Sequence, residues 1–465
     1  MRLALGLLMF VQLLCCVPVL ARDGYPDRAF GTAGIAEPAI PGNEPFIVVR
    51  AMTIDQQNRI LVVGKYSDWL LSGSRGFVLR LLPSGQVDTS FASQGWFVMP
   101  ELAELGLGQG ANSLFDAVIA QPDAIFLAGY PKDGVDKTCA LVVALTDAGA
   151  LKPGFGTGAT GAFCGPDGLP SGQPGLVGAN NPRIGLAVTE QQILVSIVRL
   201  SDEAFFYPRA EWILGLTHGG AIDTNFANQG LMTLDQGFRT GALALDSQDR
   251  LILAGMNNVG AEFRRLLLPT GVADNSFGSG GRSVVGFPGF GFYPEIRHTW
   301  MMPGDRPTAS FKVFMDSFGN LGSWEYGFLR VTESGLPDAS VAAQPINTSE
   351  GFVAHPTLVT GEQTGFLTTA GTSDHLGRVL IAGPELVRLR SDGQLDLDFA
   401  DAGYFDLPQP YQPVLSNGGY SQAIAVDADD NAYVATSEYT NASPAQLAFR
   451  VIKFVGDTLL ESGFE

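Results

Sequence analysis

The chain has 465 residues, 46% of them hydrophobic and only 16% charged, with 47 acidic against 28 basic residues and a formal net charge of −19. A composition this apolar excludes intrinsic disorder, because enough surface can be buried to offset the entropy of ordering. The acid excess argues against nucleic acid and anionic membrane surfaces, both of which need basic patches.

The chain opens with Arg2, an apolar run from Leu3 to Leu20, and then Ala21, Arg22 and Asp23. A charged start, an apolar stretch and small residues at Val19 and Ala21 read as a secretory signal peptide over residues 1–21. The alternatives are a membrane anchor, for which the run is marginal in length and Pro18 badly placed, and a lipoprotein, for which Leu14 before Cys15 is the wrong residue. Removal of the leader leaves 27 basic residues and a net charge of −20. It also removes two of the four cysteines. Cys139 and Cys164 remain, 25 residues apart, and in an oxidising compartment they are expected to form a disulfide. Two separate buried thiols are the alternative. No further ligand lies near them, so they do not make a zinc site. A secreted or periplasmic product, with the cell surface a third possibility, is the expected location.

From residue 22 onward a repeat dominates. A glycine, an aspartate three residues on and a phenylalanine three further recur at Gly24–Asp27–Phe30, Gly85–Asp88–Phe91, Gly220–Asp223–Phe226, Gly271–Asp274–Phe277 and Gly393–Asp396–Phe399. Lys152 replaces the aspartate before Phe155, and Val341 replaces the aromatic after Asp338. A further glycine follows four residues later at Gly34, Gly95, Gly230, Gly281 and Gly403. Thr458, Glu461 and Phe464 form a worn eighth copy, so the mean spacing is about 62 residues. An aspartate here accepts hydrogen bonds from the amides just ahead and holds a turn, glycines supply positive φ, and the aromatic anchors the turn. A position that repeats in this way is structural rather than catalytic.

Between these turns lie two apolar segments joined by a polar corner, as in Asp55–Gly64, Asp246–Gly255 and Asp374–Gly383, which read as β-hairpins. A third strand follows, for example Gly76–Leu82, and a short fourth after the turn, for example Trp96–Met99. Four strands per unit of about 60 residues predict an all-β, seven-bladed β-propeller, with units at about 31–91, 92–155, 156–226, 227–277, 278–341, 342–399 and 400–464 of a single domain spanning 22–465. Copies of one motif at both termini predict that the first and last blades share strands. The strand after Asp27–Gly34 would then complete the blade built from residues 420–455. An open stack of sheets is the rival architecture.

These residues resemble the uncharacterised delta-60 repeat proteins of bacteria. The resemblance rests on a hairpin ending in L-x-x-G, an Arg-bearing strand and D-G-x-x-D-x-x-F-G-x-x-G, seen best in Arg388–Phe399 and Arg80–Gly95. It runs from Gly24 to Phe464, clear in units one, four and seven and worn in units three and five. It implies a secreted or surface-exposed, propeller-like repeat protein and supplies no catalytic residues. The ending Leu460–Glu465 is also similar to short Gly-Phe-Glu tails of exported proteins, which competes with its reading as an eighth copy.

Chemistry-bearing patterns are sparse. Asp427, Asp429, Asn431 and Glu438 have the spacing of a calcium loop, but Ala432 stands where the sharp turn needs glycine, and Asp427 coincides with the repeat hairpin. The hairpin reading is preferred, so no cofactor is expected beyond that weak calcium candidate. His218, His298, His355 and His375 lack ligand spacing, and no nucleophile elbow or phosphate loop occurs. The stretch Phe287, Phe290, Phe292 and Tyr293, with Trp300 behind, offers aromatics among glycine and proline and is a candidate exposed binding loop, or else blade core. A second insertion, Gly161–Asn180, is another place for function. The expectation drawn is a non-enzymatic binding or interaction scaffold presenting loops to an unidentified protein or glycan. The alternative is a propeller hydrolase or lyase with its site at the central channel. Convergent Asp, Glu, His or Arg side chains there would favour the enzyme.

Overall fold

A computed structural model describes residues 23–41, 46–67, 74–107, 113–131, 139–165, 184–200, 208–235, 238–257, 260–286, 292–315, 323–341, 352–355, 370–383, 385–407, 421–439 and 447–456. Seven antiparallel sheets account for nearly all of the regular structure. Their first strands are Phe46–Ile54, Ser113–Gln121, Ile184–Val188, Arg239–Leu245, Phe292–Met302, Ala370–Ser373 and Ser421–Val426. Each of these packs beside the next, and Ser421–Val426 packs back onto Phe46–Ile54. The result is a closed seven-bladed β-propeller, and the open stack is excluded. One 3₁₀ turn, Thr157–Ala159, is the helical structure among the described residues.

Closure occurs where the two ends of the repeat predict it. Blade seven consists of Ser421–Val426, Ala432–Tyr439 and Leu447–Phe454, and its fourth strand is the N-terminal Ile35–Ala36. Ile35 pairs with Ile452 and Ala36 with Val451. A sheet edge left open there would expose unpaired backbone groups, which closure removes.

The blades read as apolar runs because each sheet is covered on both faces. In blade two every residue of Ala124–Pro131 and of Ala140–Leu145 is buried. Alternate side chains then serve opposite interfaces. Ile125 and Leu127 pack toward blade one with Leu61 and Val63, whereas Phe126 and Ala128 pack toward blade three with Ile193 and Val195. Each such side chain stabilises by about 1.5–3 kcal/mol.

The repeated turn does more than reverse the chain. In blade one the Asp88 carboxylate accepts the Ser90 amide at 3.1 Å and pairs with Arg80 Nε at 2.8 Å. Arg80, 2% exposed, stacks its guanidinium over Phe91 at 4.4 Å. Arg265–Asp274–Phe277 and Arg388–Asp396–Phe399 repeat this clasp, with pairs at 2.8 and 2.7 Å. Arg330–Asp338 keeps the ion pair at 2.7 Å with Val341 in place of the ring. The structural reading of the repeated aspartates therefore holds, and the arginine that completes each clasp is an addition to it.

The same turn joins neighbouring blades. The amide following the aromatic position donates to a carbonyl in the next blade's turn: Gly31 to Ser84, Ala92 to Ala148, Gly156 to Gly219, Ala227 to Thr270, Gly278 to Ser334 and Ala400 to Asp23, at 2.7–3.2 Å. The glycine that begins the motif lies over the preceding blade's aromatic at Gly24, Gly85, Gly149, Gly220, Gly271 and Gly335. Gly85, at φ +83°, has room for no side chain, since an ideal Cβ would stand 2.8 Å from the Gly31 nitrogen and 3.0 Å from the Phe30 ring. Both its backbone angle and its surroundings require glycine.

Candidate functional site

The hairpin glycine of the L-x-x-G segment shapes the inner wall. An ideal Cβ on Gly64 would lie 1.9 Å from the Val48 carbonyl oxygen, and one on Gly129 1.9 Å from that of Leu114. With no side chain there, the carbonyl of the first strand takes the space a Cβ would fill, and beside it the register slips by one residue. The slips fall between Val49 and Ala51, between Phe115 and Ala117, and between Thr240 and Ala242. Each is a β-bulge, a device that re-aims the extra residue. The extra residues are Arg50, Asp116 and Gly241. A fourth bulge, between Ile296 and His298, puts Arg297 at a comparable place in blade five.

Two of these bulges face one another. Arg50 Nε lies 3.7 Å from Asp116 Oδ1, with the two side chains only 10% and 7% exposed. The other carboxylate oxygen accepts the amide of Ile184, the first residue of blade three, at 3.3 Å. Beside them, in the second strand of blade two, sits the buried phenol of Tyr130. Burial, and then the negative charge of Asp116, push this phenol well above its ordinary value, with Arg50 pulling the other way. Three blades thus contribute to one charged group on the inner wall. Its carboxylate faces a cation, and its phenol, raised above its ordinary value, is protonated at neutral pH and can donate a hydrogen bond. The sequence reading missed this group; its signal is the glycine that ends the hairpin, Gly64 or Gly129, from which Arg50 is fourteen and Asp116 thirteen residues back.

The residues singled out from sequence lie elsewhere. Asp427 uses its Oδ1 on the amides of Asp429 and Asn431, at 3.0 and 2.9 Å, and its Oδ2 on Asn431 Nδ2 and the Tyr433 hydroxyl, both at 2.9 Å. Asp246 and Asp374 cap their hairpins in the same way, with an arginine where Asn431 stands. The calcium-like spacing is thus a hairpin cap, and Glu438 lies eleven residues further, in the second strand of blade seven. No cluster of three or more metal-ligating side chains occurs among the described residues. Cys139 and Cys164 are bonded, with Cα atoms 5.3 Å apart, tying the start of the third strand of blade two to its fourth.

The aromatic candidate loop is divided. Phe287 and Phe290 lie outside the described residues, while Phe292, Tyr293 and Trp300 belong to the first strand of blade five. Trp300 packs into the interface with blade six, beside Met302, Val379 and Ile381, and Gly371 lies under its ring. That residue is core. Of the histidines, His218 meets the Thr189 carbonyl and the edge of Phe126, and His375 pairs with Asp430 at 2.5 Å. Neither adjoins the Arg50–Asp116 pair.

Residues 58–91 match the family described as a domain of unknown function, DUF5122, beta-propeller. The match lies within one repeat, running from the hairpin corner through Phe91. No curated protein matches. Among solved structures the chain is similar to an α-L-arabinofuranosidase of Fusarium graminearum, at 8% identity and a TM-score of 0.44, covering 90% of this chain and 97% of that one. It is similar to a puromycin hydrolase at 11% identity and a TM-score of 0.45, covering 93% of this chain but about half, 55%, of the other. A polysaccharide lyase aligns at 9% identity and a TM-score of 0.41, over 94% of this chain and 97% of that one. Likeness at this level is one of fold, and no residue is carried over from it.

These neighbours nevertheless correct one expectation. The expectation of a non-enzymatic binding scaffold is corrected by them: the solved propellers named above are enzymes, in line with the alternative drawn from the sequence. Among the described residues no helix is long and apolar enough to cross a membrane. The chain is a β-propeller built of repeats, one of which carries the DUF5122 pattern.

Proposed function

We propose that the protein is a propeller hydrolase or lyase whose reaction takes place at the inner wall, with Asp116 as the base or nucleophile. The observation that supports this reading is the Arg50–Asp116 pair on facing bulges, closed off by Tyr130 and the Ile184 amide. Unlike the buried Arg–Asp clasps of the turns, this pair occupies no position of the repeated motif, and at 3.7 Å it is not a direct hydrogen bond. In this reading Arg50 holds the carboxylate charged and aimed. Tyr130, kept protonated, donates a hydrogen bond to an oxygen of the substrate.

For hydrolysis the substrate class is a neutral glycan, in keeping with the acid excess of the chain, which repels polyanions; elimination would instead need a uronate, whose carboxylate acidifies the proton to be removed. The reading includes membership of the delta-60 repeat proteins and export from the cytoplasm, supported by the charged start, apolar run and small residues of 1–21 and by a disulfide of the kind oxidising compartments favour. N-terminal sequencing of material secreted by the native host, beginning at Arg22, is the expected check on export.

The activity test uses purified chain against a panel of arabinans, other neutral polysaccharides and uronate polymers. Hydrolysis is followed by reducing ends and elimination by the ultraviolet absorbance of the unsaturated product. Asp116→Asn should lower the rate on a cleaved substrate by about 100-fold or more while leaving the fold intact by circular dichroism. Retention of full activity by that variant, or no cleavage anywhere on the panel, would overturn the proposal.

A further inference from the structure

Two arginines meet at the turn of blades one, four and five, one from the hairpin corner and one from the third strand. In blade four Arg265 Nε lies 2.8 Å and Arg250 Nη1 3.7 Å from Asp274 Oδ2. Blade five repeats this, with Arg330 Nε at 2.7 Å and Arg306 Nη1 at 3.5 Å from Asp338 Oδ2. In blades one and four a further acidic residue arrives from the turn of the next blade, two places before its motif glycine. The Asp147 carboxylate meets Arg59 Nη1 at 3.2 Å and Arg80 Nη1 at 3.3 Å. The Glu333 carboxylate lies 3.7 Å from Arg250 Nη2, and its carbonyl accepts Arg265 Nη1 at 2.6 Å.

Blade five keeps both arginines and loses these acids. Ser391 stands two places before Gly393, where Asp147 and Glu333 stand before Gly149 and Gly335. Met302 stands four places before Arg306, where Asp55 and Asp246 stand before Arg59 and Arg250. Arg330 is 0% exposed; its Nη2 donates to Ser340 Oγ at 3.0 Å, and its Nη1 has no partner among the described residues. The nearest acid of the blade-six turn, Asp392, is engaged elsewhere: it accepts the Gln394 amide at 3.0 Å and lies 3.7 Å from Arg390 Nε. A buried guanidinium with an unsatisfied N–H carries a desolvation cost that a partner would recover. Burial holds Arg330 below its ordinary value, with Asp338 opposing this, Arg306 adding to it and Asp392 opposing it. It remains a cation at neutral pH.

We propose that the junction of blades five and six binds a small carboxylate, held by Arg306 and Arg330 as the Asp147 carboxylate is held by Arg59 and Arg80. The place is reached from solvent, since Asp147 and Glu333, which fill it in the other blades, are 67% and 58% exposed, and Ser391 is exposed as well. A guanidinium matches a carboxylate in shape and charge, and the burial of Arg330 shields the contact from screening by salt. The bound carboxylate does for this junction what the chain's own acids do for the junctions after blades one and four, and it ties blade five to blade six. The site lies apart from the Arg50–Asp116 pair of blades one and two and does not depend on the reaction proposed there.

Acetate is the probe, replacing chloride at constant ionic strength and neutral pH, and the readout is the thermal midpoint of the full chain. Two substitutions of exposed residues change the number of open places. Ser391→Glu supplies the missing carboxylate in blade six, and Glu333→Ser opens the matching place beside Arg250 and Arg265. Acetate should raise the midpoint of the unaltered chain saturably, by about 2 °C or more, leave that of Ser391→Glu unchanged, and act about twice as strongly on Glu333→Ser. Without acetate, Ser391→Glu should melt above the unaltered chain. Equal responses in all three chains would mark a general effect of the salt, and no response in the unaltered chain would mean that Arg330 is satisfied from within, by Asp392. Either result overturns the proposal.

Discussion

Gly85 and Gly154 have nearly the same backbone angle, φ +83° and +81°, but opposite surroundings. Gly154 has nothing within 4 Å of an ideal Cβ, whereas Gly85 would place that atom 2.8 Å from the Gly31 nitrogen and 3.0 Å from the Phe30 ring. Alanine at either site pays the left-handed conformation, about 1–2 kcal/mol, and recovers about 0.5–1 kcal/mol from the stiffer unfolded chain. Gly154→Ala should therefore cost about 1 kcal/mol or less. At Gly85 the methyl group meets backbone and an aromatic that is itself 1% exposed. Overpacking of that kind costs about 1–3 kcal/mol. Displacing Gly31 also endangers its 2.8 Å bond to the Ser84 carbonyl, worth about 1 kcal/mol. The gap between the two variants should be about 2–4 kcal/mol, measured as a difference in urea midpoint at constant slope. Losses equal to within about 0.5 kcal/mol would show that glycine is needed there only for its angle, and the account of how blades lock together would fail.

Two further outcomes follow from the clasps. Asp338→Asn removes one partner of a buried pair whose arginine is 0% exposed, and should cost about 3–5 kcal/mol in chemical denaturation, whereas Asp392→Asn, in the exposed pair with Arg390, should change stability by less than about 0.5 kcal/mol. For Asp88, Asp274 and Asp338, burial acts to raise the carboxyl pKa, but serine hydrogen bonds and the paired arginines outweigh it and hold each below its ordinary 3.8. A depressed folded value means stability that is complete above the unfolded value and is lost as pH falls through the folded one. Urea midpoints should therefore be insensitive to these groups between about pH 7 and 5 and drop below about pH 4; a midpoint that holds steady into stronger acid would contradict the assignment.

Much of the fold was legible because its causes are local and repeated. A turn aspartate with amides just ahead of it, a glycine with positive φ and an aromatic in fixed register recur often enough to reveal the period, and the copies at both termini give the closure of Ile35–Ala36 on Leu447–Phe454. The clasp arginines were visible at Arg80, Arg265, Arg330 and Arg388, but each lies inside a strand otherwise read as apolar, and burial of a guanidinium is legible only once Asp and Phe are seen to cover it. Glycine and proline among the aromatics of Phe287–Tyr293 offered an exposed loop or blade core, and the strand Phe292–Met302 carries a further proline, Pro294, near its start. The structure sets that proline in a strand irregularity between Phe292 and Glu295, where a missing amide is tolerated. Arg50 and Asp116 escaped notice for a different reason. Neither belongs to a motif, and their meeting depends on two bulges and on the packing of blade one against blade two.

That dependence explains how a ring of near-identical units acquires one distinctive place. The bonds between turns and the Arg–Asp clasps hold the motif positions to a few residue types, so variation there is costly. The L-x-x-G glycine, in contrast, creates an extra residue in the first strand without specifying it, and the blades fill that place with arginine, aspartate or glycine at Arg50, Asp116 and Gly241. The repeat thus builds the site at its first-strand bulges rather than at its aspartates; glycine shapes the bulge in blades one and two, whereas Phe311 stands opposite it in blade five. Gly129→Ala tests this directly. Its methyl carbon would fall 1.9 Å from the Leu114 oxygen, so that carbonyl must turn away and the bulge that aims Asp116 must flatten. In the proposed enzyme the rate should fall by about tenfold or more with the blade still folded, since a misplacement of about 1 Å is enough to cost that much. Full activity in a folded Gly129→Ala chain would mean that the bulge does not aim the reacting group, and Asp116 would lose its claim to be one.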